Sequence, residues 1–209
     1  MAMRLGRIGS AVFVALLLPA ACGSSPHAPA AATTTISTPP PPPALVAQAR
    51  PIGRGPRFQP PASGPVVGQC TRRLGVRVGV HVEVFAANRV VLIPAGIGTR
   101  PPRAFSAGRI SSARCYGELV TIDPTGLVLV RSGSHPVLGD VFRSWGEPLS
   151  TRRLASFSAL GRARVAVFVN GQRWRGPPGR VPLGRHAEVV LEIGPYVPPH
   201  RSYTFPPGF

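Results

Sequence analysis

The alternation of apolar and polar positions divides the chain into three parts. Residues 11–18 (AVFVALLL) form a short apolar run behind Arg4 and Arg7. Some forty residues without any period follow, rich in Pro, Ala, Ser and Thr, with consecutive prolines from Pro39 to Pro43. From Pro65 onward, short β-type runs alternate with Gly/Pro turns. VRVGVHVEVF (76–85) alternates as a half-buried strand does, and VVLIP (90–94) reads as a second strand after the turn at Ala87-Asn88-Arg89. CYGELVTI (115–122) and LVLVR (127–131) bracket DPTG (123–126), whose Asp, Pro and Gly stand in the order of a type I turn. RVAVFVNGQRW (164–174) contains Asn-Gly, the strongest short hairpin signal. AEVVLEIG (187–194) is the last long strand. One segment has a helical period: Val137, Leu138, Val141, Phe142 and Trp145 predict a helix over about 135–146, with Ser134 capping its start and Gly146 ending it. The Pro-rich, aromatic end (195–209) is expected to lie extended across the surface. The pattern predicts an α+β domain, mainly antiparallel sheet built from hairpins, with one short helix.

The first part reads as an export signal. Its apolar run is too short for a permanent membrane span, and the small residues Ala20 and Ala21 precede Cys22. An ordinary secretory signal cut after Ala21 is one reading. A lipoprotein signal is the other, with residues 1–21 removed and Cys22 lipidated, although Pro19 stands where a lipobox usually has Leu. The tether that follows favours lipidation. Residues 22–64 cannot bury enough apolar surface to offset their ordering entropy, and their prolines make a semi-stiff extended spacer. The expected location is therefore the extracytoplasmic face of the cell membrane, with the lipid as the membrane contact. The remaining segment, 65–209, is the size of one globular domain with a core of its own.

Charge adds a second feature. The chain has no lysine. Two of its 24 arginines lie in the signal and three in the tether, so the domain keeps 19 against seven acids, a net +12. Such an excess attracts anionic lipids, acidic envelope polymers or nucleic acid. Nucleic acid is the poor candidate for an exported chain, and no helix-turn-helix, zinc or RNP pattern occurs. The arginines are scattered, which predicts a diffuse basic surface facing an anionic envelope.

Three cysteines are present. With Cys22 lipidated, Cys70 and Cys115 remain as a pair in an oxidising compartment, where a disulfide is the default.

Motifs for chemistry are scarce. No G-x-S-x-G elbow, C-x-x-C or H-E-x-x-H stands in the sequence, and Gly96-Ile97-Gly98 lacks the following helix of a phosphate loop. No cofactor is expected. Of five histidines, His27 is in the tether, His135 at the helix start, His186 before a strand and His200 in the tail; His81, on the first strand, is the site candidate. Glu83 and Asp123 are the acids that could face each other across strands.

IPAGIG (93–98), LGDVFRSWGEPL (138–149), VFVNG (167–171), HAEVVLEIG (186–194) and SYTFPPG (202–208) together resemble an uncharacterised family of exported and lipid-anchored bacterial proteins, mainly actinobacterial. Members of that family commonly carry a strand of the type H-x-H-x-H-L and an HTHD segment, which suggest metal binding. The resemblance also implies that Cys70 and Cys115 pair. This chain departs from it at the histidines. It reads Arg77, Gly79, His81 in the strand and Val120, Thr121, Ile122, Asp123 in place of HTHD. A metal site of that kind is reduced to His81 and Asp123, since imidazole is the usual transition-metal ligand. The sequence thus predicts a non-enzymatic binding or scaffold domain of the envelope. A metal-handling domain with a degenerate site is the alternative, and a small hydrolase the third.

Overall fold

The computed structural model describes Pro43 and residues 49–209. The signal, Cys22 and most of the tether lie outside the described residues.

Eleven strands, one α-helix and a single 3-10 turn (Pro178–Arg180) follow one another among the described residues. The longest strand, β1 (Arg77–Ala86), is central. It is flanked on one side by β11 (Glu188–Ile193), β9 (Ala166–Val169) and β10 (Gln172–Arg173), and on the other by β6 (Leu127–Arg131) and β5 (Leu119–Thr121). The two-residue β2 (Arg89–Val90) pairs with the end of β1. The β1–β11 pairing is parallel and the others are antiparallel, so the fold is α+β and mainly antiparallel.

Alternation along β1 builds two different faces. Val78, Val80, Val82, Val84 and Ala86 join Val128, Val130, Val189 and Leu191 in the main core. Helix α1 (Leu138–Trp145) covers that core with Leu138, Val141, Phe142 and Trp145, four of the five residues its period singles out. Arg77, Gly79, His81, Glu83 and Phe85 point the other way. That face is not left to solvent: Arg77, His81 and Phe85 are buried. The aromatic tail expected on the surface covers it, with Tyr203, Phe205 and Phe209 packed against Val120, Leu127 and Leu129.

The helix is shorter than its period suggests. It begins at Leu138 because Pro136 biases the residue before it away from helix, and Val137 is itself extended, at φ −112° and ψ 166°. Ser134 does not cap it; its hydroxyl donates to the Arg131 carbonyl. Asp140 does, accepting from the Val137 N–H at 2.9 Å. Gly146 ends the helix as expected, with φ at +89°.

Two strand expectations also change. VVLIP contributes only Val90 to a strand, and the chain then turns inward. CYGELVTI is divided, its first two residues closing β4 (Arg109–Tyr116) and Leu119–Thr121 forming β5. Between them lies an unexpected hairpin, β3 (Thr99–Ser106) against β4. Its prolines, Pro101 and Pro102, fall in a register break, where their missing N–H groups cost no ladder bonds. Most of this hairpin is exposed, including Phe105 near its tip. A second small hairpin joins β7 (Arg153–Leu154) to β8 (Phe157–Ser158). Asn170-Gly171 makes the expected turn between β9 and β10, both residues having positive φ.

Cys70 and Cys115 form a disulfide with Cα atoms 5.4 Å apart, tying the approach to β1 to the end of β4. The ordered domain also reaches upstream of Pro65, into residues whose composition matches the tether. Phe58 packs on Phe157 with ring centroids 5.1 Å apart. The Trp145 indole N–H donates to the Pro60 carbonyl at 3.1 Å, and the Ser63 N–H to the Trp145 carbonyl at 2.9 Å. Phe58 and hydrogen bonds through the backbone of Pro51, Gly53, Phe58, Pro60 and Ser63 hold this stretch, contacts that leave no mark in composition.

Candidate functional site

The covered face of the sheet gathers the polar groups that are costliest to bury. His81 and Glu188 are register partners in the parallel β1–β11 pair, so both side chains leave the sheet on the same side. His81 Nδ1 is 2.8 Å from Glu188 Oε2, and His81 Nε2 is 3.0 Å from the Thr125 carbonyl oxygen. A carbonyl only accepts, so Nε2 carries a proton. One further proton lies between Nδ1 and Oε2. The pair is net neutral whichever of the two atoms holds that proton, which suits its burial: its side chains are 8 and 1 % exposed. The Tyr203 ring stacks on the imidazole at 3.8 Å, almost parallel.

Glu83, two residues along β1, shares this face. Its Oε2 is 2.7 Å from Nδ1 of His200, which the tail supplies. Ligand atoms of His81, Glu83 and Glu188 all lie within 4.8 Å of one another. A cleft of about 860 Å³ opens beside them, lined by Glu83, Phe85, Arg50 and His200 among others.

The same face holds two further buried charges. Arg77 donates to the Leu74 and Glu118 carbonyls; burial, and secondarily Arg131, pull its guanidinium down to about 10. Glu192 lies four residues beyond Glu188 on β11. Burial raises its carboxyl above the ordinary range, against the opposing pull of the Val197 N–H, Arg50 and Arg173. Its Oε1 has no hydrogen-bond partner.

Of the sequence candidates, His81 is in this cluster and Asp123 is not. The Asp123 carboxylate takes Arg109 Nε at 2.9 Å, and Glu83 faces His200 in its place. His135 is exposed, and His186 is exposed with its ring stacked on Phe205. Trp145 is core, and the Trp174 indole N–H donates to the Pro177 carbonyl. Sequence reasoning missed Glu188 and gave His200 no role. His81-x-Glu83 on one strand face was readable. Glu188 was not, because it arrives on a parallel neighbour 107 residues away.

The outer surface is a second feature. None of the seven acids is among the exposed residues; Glu188 and Glu192 are buried and the other five half-buried. Eighteen arginines are exposed. Side-chain charge at full exposure is therefore positive throughout the described domain. The carboxylates are instead paired with His81 in the interior and with His200, Arg109 and Arg143 nearer the surface, take a backbone N–H at Glu192, or are partly buried at Glu118 and Glu147.

No family model, curated protein or solved structure matches this chain.

Proposed function

We propose that the chain is a lipid-anchored, extracytoplasmic domain that binds polyanionic envelope material and performs no catalysis. The observation that carries this reading is the segregation of charge: eighteen arginines are exposed, while each of the seven acids is buried or half-buried. Ordinary surfaces intersperse the two signs, which shortens the reach of their fields. A single-sign surface raises the local concentration of anions and steers them inward. Arginine forks also match phosphate and carboxylate oxygens two at a time, with less desolvation than an ammonium needs. The signal-like residues 1–21, Cys22 and the Pro-rich tether support placing this surface a short reach above a membrane. The resemblance to exported, lipid-anchored bacterial proteins supports the same location.

The test uses a soluble polyanion, so that the lipid contributes nothing to binding. Full-length protein in neutral detergent should bind a polyphosphate chain and ignore neutral dextran. Reversing two exposed pairs, Arg72/Arg73→Glu and Arg152/Arg153→Glu, should weaken binding at least tenfold when combined, with the fold unchanged by circular dichroism. Equal binding to dextran, or indifference to the four reversals, would refute the reading.

A further inference from the structure

We propose that His81, Glu83 and Glu188 form a binding site for one divalent transition-metal cation of the zinc class, independent of the polyanion surface. Three observations carry it. Their ligand atoms lie within 4.8 Å of one another, close enough to share one ion. Glu188 is fully buried, yet its Oε1 has no hydrogen-bond partner. An orphaned carboxylate oxygen is costly to bury, and a cation held by both carboxylate oxygens of Glu188 satisfies it. Third, among the described residues neither Glu83 nor Glu188 has an arginine within ion-pair distance; each is matched to an imidazole. In a domain with eighteen exposed arginines, these two carboxylates are kept for a different partner.

The imidazole is already in the required tautomer. The Thr125 carbonyl holds a proton on Nε2, which leaves Nδ1 as the ligating atom and fixes the ring plane. Metal-bound histidines usually donate their second ring N–H to a carbonyl or carboxylate in this way. On binding, the cation takes the position of the proton between Nδ1 and Oε2, and that proton leaves to solvent. His200 remains the partner of Glu83 and orients its carboxylate. Two carboxylates and a neutral imidazole neutralise a divalent ion, which is the condition for holding it at a buried position. Nitrogen and oxygen ligands at about 2.0–2.2 Å suit zinc. Asp123 takes no part, being held by Arg109.

Full-length protein stripped with a chelator and titrated with Zn²⁺ against a chromogenic competitor is expected to bind one ion per chain. Glu83→Gln and Glu188→Gln should each weaken binding at least tenfold, and Asp123→Asn should leave it unchanged. Thermal transitions of the metal-free variants report whether each is folded. Glu83→Gln alters a half-buried side chain, so it carries the test alone if Glu188→Gln unfolds. Failure to saturate at one ion per chain would overturn the proposal. So would binding unchanged in Glu83→Gln, which would assign the ion to exposed histidines. Neither result bears on polyphosphate binding.

Discussion

Glu188 Oε2 lies 2.8 Å from His81 Nδ1 across two parallel strands in which the residues are register partners. Glu188 is the most buried acid in the domain, and an imidazole is its protein counter-group. Removing one member leaves the other buried without compensation, at a cost of about 3–5 kcal/mol. Glu188→Ala is therefore expected to lower unfolding stability by about that amount. The double change His81→Leu with Glu188→Leu should cost less than the sum of the two single changes. Denaturant titrations of the four proteins check this; strict additivity would show that the pair acts as two independent groups.

The disulfide closes a sequence separation of 45 residues. In the chain-entropy picture, bridging a loop of that size stabilises by about 3–4 kcal/mol. Cys70→Ser with Cys115→Ser should lower the denaturation midpoint accordingly. Native protein should show no reactive thiol at either position until it is reduced.

Glu192 sets a pH dependence. Its carboxyl is raised in the folded state by burial, while the unfolded chain restores its ordinary value. Below the unfolded value both states hold the proton, and the group's contribution to stability is fully present. As pH rises through the folded value, the unfolded state gives up its proton first and that contribution is lost. Stability should fall as pH climbs from the ordinary carboxylate range toward neutrality. Glu192→Gln should flatten this slope and raise stability at pH 7, as read by thermal unfolding at several pH values. A slope unchanged in the variant would assign it to another group, Glu147 being the next candidate because burial raises it as well.

Much of this fold was legible in the chain, for reasons that particular elements make plain. Alternation along residues 76–85 is strict, so β1 and its core-facing valines followed directly. The helix face followed from the spacing of Leu138, Val141, Phe142 and Trp145. The β3–β4 hairpin escaped because its side chains are mostly exposed and two are prolines, which removes both the apolar signal and the ladder signal. The second face of β1 read as solvent-facing for a similar reason. Its polar residues are paired by partners from β11 and the tail, and pairing across more than a hundred residues leaves no local trace. Charge segregation is likewise a property of the folded surface. A net excess of arginine was countable, but the withdrawal of every acid from full exposure was not.

The proposed lipid anchor has its own test. Protein isolated from membranes should begin at Cys22 and carry a diacylglycerol thioether, as read by intact mass. Cys22→Ala should release it from the membrane fraction. A mature N-terminus at Cys22 with no lipid mass would favour the ordinary secretory signal.

The central claim is that a surface charged by arginine alone binds polyanions. The most direct measurement is the affinity of the full-length protein for polyphosphate across a series of salt concentrations. Binding through displaced counterions makes the logarithm of affinity fall linearly with the logarithm of salt, with a slope set by the number of contacts. The account predicts a slope of several units, reduced by the combined Arg72/Arg73→Glu and Arg152/Arg153→Glu reversals. An affinity independent of salt, or no binding at low salt, would contradict it.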